Sequence, residues 1–172
     1  MMKKLRAFWI MFPLALFPLV HLFLAAFANE RAVEVAPETL GLVLFGAVCE
    51  ELFFRSFLQN LLQERLAIRP LFVAILVNVF FAAAHGVNLV SYATISYGLL
   101  QMGTAFGVGL SLSAVYERTG KIGYCILIHT LINGTGLLAG FALTEERMAV
   151  YGLTALAYAA HGFWLLRPKK TE

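Results

Sequence analysis

Long apolar runs, separated by short charged connectors, make up almost the whole chain. A membrane-crossing helix needs roughly 20 mostly apolar residues, and six stretches approach that length: Phe8 to Phe27, Thr39 to Leu62, Pro70 to His85, a segment within Leu89 to Tyr116, Ile122 to Phe141, and Met148 to Leu166. The third opens on a proline, which a helix tolerates in its first turn. The fourth carries several glycines and is expected to be bent or broken at them. The pattern predicts an all-α protein: a polytopic membrane bundle of about six helices forming a single domain over residues 1–172, with no internal repeat.

Charge placement gives this segmentation a direction. With the N-terminus inside, the inner segments carry Lys3, Lys4, Arg6, Arg65, Arg69, Arg118, Lys121, Arg167, Lys169 and Lys170, whereas the outer loops carry Arg31 and Arg147. The outer loops are acidic instead, with Glu30, Glu34, Glu38, Glu145 and Glu146. Basic residues accumulate on the cytoplasmic side of membrane proteins, so both termini are expected in the cytoplasm. A rival reading takes Lys3 to Arg6, the apolar run and Ala26-Phe27-Ala28 as a cleavable signal peptide, although the apolar run is long for that role.

Composition agrees. Of the 172 residues, 60% are hydrophobic and 13% charged, with a mean hydropathy of +0.80. Soluble domains are roughly 45–50% apolar and about 25% charged. The net charge of +3 is spread along the chain and builds no nucleic-acid patch. Cys49 and Cys125 lie inside apolar runs and read as small buried hydrophobes. Gly103-xxx-Gly107 and Gly136-xxx-Gly140 have the spacing that lets helix backbones approach closely, either within the bundle or as the face of a homodimer.

Against this background a few polar residues stand out. An ionisable group in the hydrocarbon layer costs at least ~2.5–3.5 kcal/mol on insertion scales and usually serves function. Glu50, Glu51, Arg55, His85 and His129 are such groups, and Asn133 is an amide among them. Glu51 and Arg55 are i,i+4 and are expected to form a buried ion pair. Glu50 points about 100° away and needs a partner from another helix. His129 and Asn133 are also i,i+4. At ~1.5 Å of rise per residue, Glu50 lies roughly 18 Å from the cytoplasmic end of its span, His85 about 20 Å, His129 about 10 Å and Asn133 about 16 Å. They therefore share a middle layer.

The ordered set resembles the CPBP family, the CAAX-protease and bacteriocin-processing membrane proteins also called Abi. The resemblance rests on EExxxR at Glu50 to Arg55, FxxxH at Phe81 to His85, HxxxN at His129 to Asn133, and Arg118-Thr119-Gly120 before the last motif. It covers roughly residues 39–141. It implies a glutamate-dependent intramembrane endopeptidase without a cofactor. In that reading Glu50 activates water with help from His85, His129 and Asn133 stabilise the oxyanion, Glu51 and Arg55 support the site, and Phe81 packs beside it. The short length is similar to prokaryotic members of the plasma membrane, some associated with cutting C-terminal sorting helices such as JDVT-type tails. A membrane-anchored peptide or protein is thus the implied substrate, with CAAX-like termini and leader peptides as other candidates.

Two rival readings use the same residues. Glu50, His85 and His129 are a possible His₂Glu zinc set with an open fourth position, although no HExxH is present. Alternatively, the polar residues belong to a non-catalytic immunity or transport protein, since intramembrane acids and histidines also build proton relays. A serine or cysteine nucleophile has no supporting turn motif.

Overall fold

A computed structural model describes residues 9–16, 18–19, 22–23, 36–87, 94–139 and 145–168. The described parts of the first apolar run are helical. The elements that follow are α1 (Pro37–Glu51), a π-helical stretch (Leu52–Gln59), α2 (Asn60–Arg65), α3 (Pro70–His85), α4 (Ile95–Thr119), α5 (Ile122–Ala139) and α6 (Glu145–Leu166). No strand occurs among the described residues, so the all-α expectation holds.

Most boundaries follow local chemistry. Pro37 and Pro70 sit in the first turns of α1 and α3, where a missing N–H costs no hydrogen bond. Thr94 caps α4 by accepting from the Tyr97 amide. Gly120 ends α4 at φ +64°, in the left-handed region, where a Cβ would be strained.

Two expectations change. The fourth apolar segment is not broken at its glycines: α4 runs unbroken for 25 residues. A glycine costs a helix ~1 kcal/mol in isolation, but here the missing side chains permit close packing. A Cβ on Gly107 would sit 2.3 Å from the Ala155 carbonyl oxygen, and one on Gly162 2.9 Å from the Leu110 backbone. Gly107 thus uses its small size inside the chain, whereas Gly103 and Gly136 have nothing within 4 Å of a built Cβ; Gly140 lies outside the described residues. The second change concerns the cysteines. Cys125 is buried as expected, but Cys49 is exposed on α1.

Among the described residues two helices are long and apolar enough to cross a membrane, Ile95–Thr119 and Met148–Leu166. Pro70–His85 and Ile122–Leu137 are apolar but shorter.

The chain divides into two compact units. The first comprises Met1–Phe53 with Lys121–Ala142, and in it α1 packs on α5. The second comprises Phe54–Gly120 with Leu143–Glu172, where α4 packs on α6 and α3. Its apolar core gathers Phe54, Val73, Val77, Phe81 and Ala105, flanked by Leu58 and Leu62.

Candidate active site

The first unit brings Glu50, Glu51 and His129 together. The two glutamates close α1, and His129 projects from α5, which packs against it. Glu51 is fully buried and His129 is 3% exposed. His129 Nδ1 lies 2.7 Å from Glu51 Oε1. An ionised carboxylate only accepts, so Nδ1 carries the proton and the imidazole is held in one orientation. The other ring nitrogen, Nε2, lies 3.6 Å from Glu50 Oε2, beyond a direct hydrogen bond. Glu50 is the more open of the two acids, its side chain 38% exposed, yet its Oε2 is buried and accepts no hydrogen bond among the described residues. One imidazole therefore lies between two carboxylates, bonded to one and short of the other. Asn133 is half-buried one turn further along α5.

The second unit holds a different cluster. Arg55, on the π-helical stretch, is fully buried. Its Nη2 donates to Asn78 Oδ1 and to the Gly109 carbonyl, both at 3.2 Å. Asn78 Nδ2 donates to Ser113 Oγ at 2.8 Å and to the Ala74 carbonyl at 2.7 Å. Gln59 donates to the Ser113 carbonyl. The guanidinium carbon also lies 4.5 Å from the centre of the Phe81 ring, a cation–π distance. Phe81 meets the His85 ring edge-on at 4.6 Å. His85 Nδ1 is 2.9 Å from the Phe81 carbonyl. A carbonyl only accepts, so Nδ1 again carries the proton and Nε2 of neutral His85 is left as an acceptor.

The expected grouping is thus seen as two local constellations, Glu50–Glu51–His129 and Arg55–Phe81–His85. Glu51 has a partner that spacing did not suggest, His129, which lies 78 positions away. The expected Glu51–Arg55 pair runs from one unit to the other and stays an expectation. It assumed α-helical geometry, whereas the residues from Leu52 onward are wound as a π-helix, with i→i+5 hydrogen bonds. Such turns are uncommon and frequently lie at functional sites.

Sequence reasoning missed Asn78, Gln59, Ser111 and Ser113, all fully buried. Asn78 left a signal, as the one amide in the apolar run Pro70–His85. His161 was also missed. Ser111 Oγ donates to the Tyr158 carbonyl, and its single proton is then used, so His161 Nδ1 at 2.7 Å is the donor to Ser111. Among the described residues, no three His, Cys, Asp or Glu side chains are grouped as a metal site; the zinc reading of Glu50, His85 and His129 rests on sequence alone.

A family model described as type II CAAX prenyl endopeptidase Rce1-like matches residues 32–135. The match covers more than half of the 172 residues and contains all three motifs. No match was found among curated proteins or among solved structures.

Proposed function

Because this chain belongs to the type II CAAX prenyl endopeptidase Rce1-like family of membrane proteases, we propose that it hydrolyses a peptide bond in a membrane-associated substrate with a water activated by Glu50. The observation that carries this reading is the imidazole of His129 between the carboxylates of Glu51, at 2.7 Å, and Glu50, at 3.6 Å.

Amide hydrolysis needs a base in reach of a water and donors aimed at the charge that develops on the carbonyl oxygen. Glu50 Oε2 has a free lone pair and takes a proton from the water as its oxygen attacks the carbonyl carbon. Glu51 fixes the His129 ring by Nδ1, and His129 with its Nε2 also protonated donates to the oxyanion. The Asn133 amide is a second donor. When the tetrahedral intermediate collapses, the C–N bond breaks and Glu50 returns its proton to the leaving amine. The family resemblance implies that His85, with its accepting Nε2, helps Glu50 to activate the water. Arg55 and Phe81 hold that histidine's surroundings. The reaction uses no metal or cofactor.

The same reading places six spans across a prokaryotic plasma membrane, with both termini in the cytoplasm, on the strength of the ten-against-two distribution of basic residues. The substrate is a membrane-anchored peptide, such as a C-terminal anchor helix or a CAAX-like terminus.

Comparative mass spectrometry of membrane peptides tests the proposal in cells carrying wild-type or Glu50→Gln protein. At least one membrane peptide is expected to accumulate uncut in the variant. Identical peptide profiles at equal protein levels would remove the assignment.

A further inference from the structure

The second unit contains a cleft of about 640 Å³ that the proposed chemistry does not use. Three helix ends form it: the start of α3 with Arg69 and Phe72, the end of α4 with Glu117 and Arg118, and the end of α6 with Leu166 and Arg167. The two helices that, among the described residues, are long and apolar enough to cross a membrane terminate here, at Thr119 and Leu166. Their ends mark the boundary between hydrocarbon and water, so the cleft opens at the level of the lipid headgroups.

Its charge exceeds what the fold uses. The C-terminal ends of two helices attract cations, and Arg118 serves that role: its Nε donates to the Leu165 carbonyl at 2.5 Å and its Nη2 to the Arg167 carbonyl at 3.0 Å. Arg167 makes one long bond, Nε to the Trp164 carbonyl at 3.4 Å, and lies 6.0 Å from the Trp164 ring. The exposed Arg69 side chain makes no hydrogen bond or ion pair among the described residues. The one acid, Glu117, accepts from Gln63 at 2.5 Å. Two guanidinium groups with spare donors therefore face a cleft whose third wall is the positive end of a 16-residue helix.

From this we infer that the cleft binds the phosphate headgroup of an anionic glycerophospholipid. Guanidinium donors match phosphate oxygens in pairs, and basic pockets between membrane helices hold anionic headgroups. The neighbouring apolar surface favours a lipid over a soluble anion. Phe72, which lines the cleft, is 54% exposed, and Trp164, beside Arg167, is 55% exposed. The inference rests on the membrane placement but not on the protease chemistry.

Native mass spectrometry of the full-length protein in detergent, with added phosphatidylglycerol or phosphatidylcholine of equal chain length, tests it. Phosphatidylglycerol should be retained in preference, and an Arg69→Gln/Arg167→Gln double variant should bind it at least about tenfold more weakly. Glu50→Gln should bind it as the wild type does, which separates failure here from failure of the protease reading. Both arginine side chains are exposed, and unchanged melting of the double variant without lipid verifies its fold. Equal retention of the two lipids, or full retention by the double variant, would overturn the inference. So would displacement of the lipid by millimolar inorganic phosphate, which would identify a site for soluble anions.

Discussion

His129 and Glu51 face each other at 2.7 Å from separate helices, both almost completely shielded from solvent. A buried carboxylate that fixes one imidazole nitrogen determines what the other can do: it holds the ring's tautomer and orientation. Glu51→Gln preserves size and removes the charge. Its turnover number should fall by about 10²–10⁴, the range of an orienting carboxylate in hydrolases, with little change in KM. Steady-state cleavage of a membrane peptide checks this; a loss confined to KM would assign Glu51 to substrate binding.

Glu50 offers a buried oxygen that accepts no hydrogen bond among the described residues. Glu50→Gln removes the base without altering shape, and the cleavage rate should drop by at least about 10²-fold. The melting temperature in detergent should stay within a degree or two of wild type. Substantial residual turnover would move the base elsewhere.

Asn133→Ala should cost about 10²–10³ in turnover, as expected for one oxyanion donor. Asn133→Asp, which replaces a donor by an acceptor, should be at least as damaging. A normal rate in either variant leaves the oxyanion to His129 alone.

Arg55 affects stability more than chemistry. Its loss strips Arg55's hydrogen bonds from Asn78 Oδ1 and from the Gly109 carbonyl, and a buried polar group left unsatisfied, as Asn78 Oδ1 would be, costs about 1–3 kcal/mol. Arg55→Ala should therefore melt well below wild type. Arg55→Lys should recover only part of the loss, because an ammonium lacks the planar fork that reaches two acceptors. A wild-type melt for Arg55→Ala would contradict the network.

Much of this was legible in the chain. Pro70 announced the start of α3, because proline fits a helix only in its first turn. The three motifs identified the polar residues that the structure gathers into two constellations. What stayed hidden depended on neighbours distant in sequence. The glycines of α4 read as breaks because nothing local says that Ala155 will lie against Gly107. The contact of Glu51 with His129 is invisible to i,i+4 spacing, which registers neither a π-helical stretch beginning at Leu52 nor a histidine on α5. Asn78 and Gln59 were overlooked because a single amide in an apolar run acquires meaning only once its acceptor is known.

The glycine packing yields a paired test. A methyl at Gly107 collides with the Ala155 carbonyl, whereas one at Gly103 meets nothing within 4 Å. Gly107→Ala should lower stability by about 1–3 kcal/mol, as overpacking does. Gly103→Ala should be neutral or slightly stabilising, since alanine favours a helix by ~1 kcal/mol. Thermal melts of the two variants separate the cases.

The winding of Leu52–Gln59 gives this helix a phase as well as a sequence. A π-helical loop holds one residue more than an α-helical one, so a single deletion there can be absorbed by tightening into ordinary α-helix. The order of residues and the phase of the helix beyond it would then survive, whereas the same deletion within ordinary α-helix turns everything beyond it by roughly 100°. Length across this short stretch is thus less constrained than in the α-helical turns that flank it.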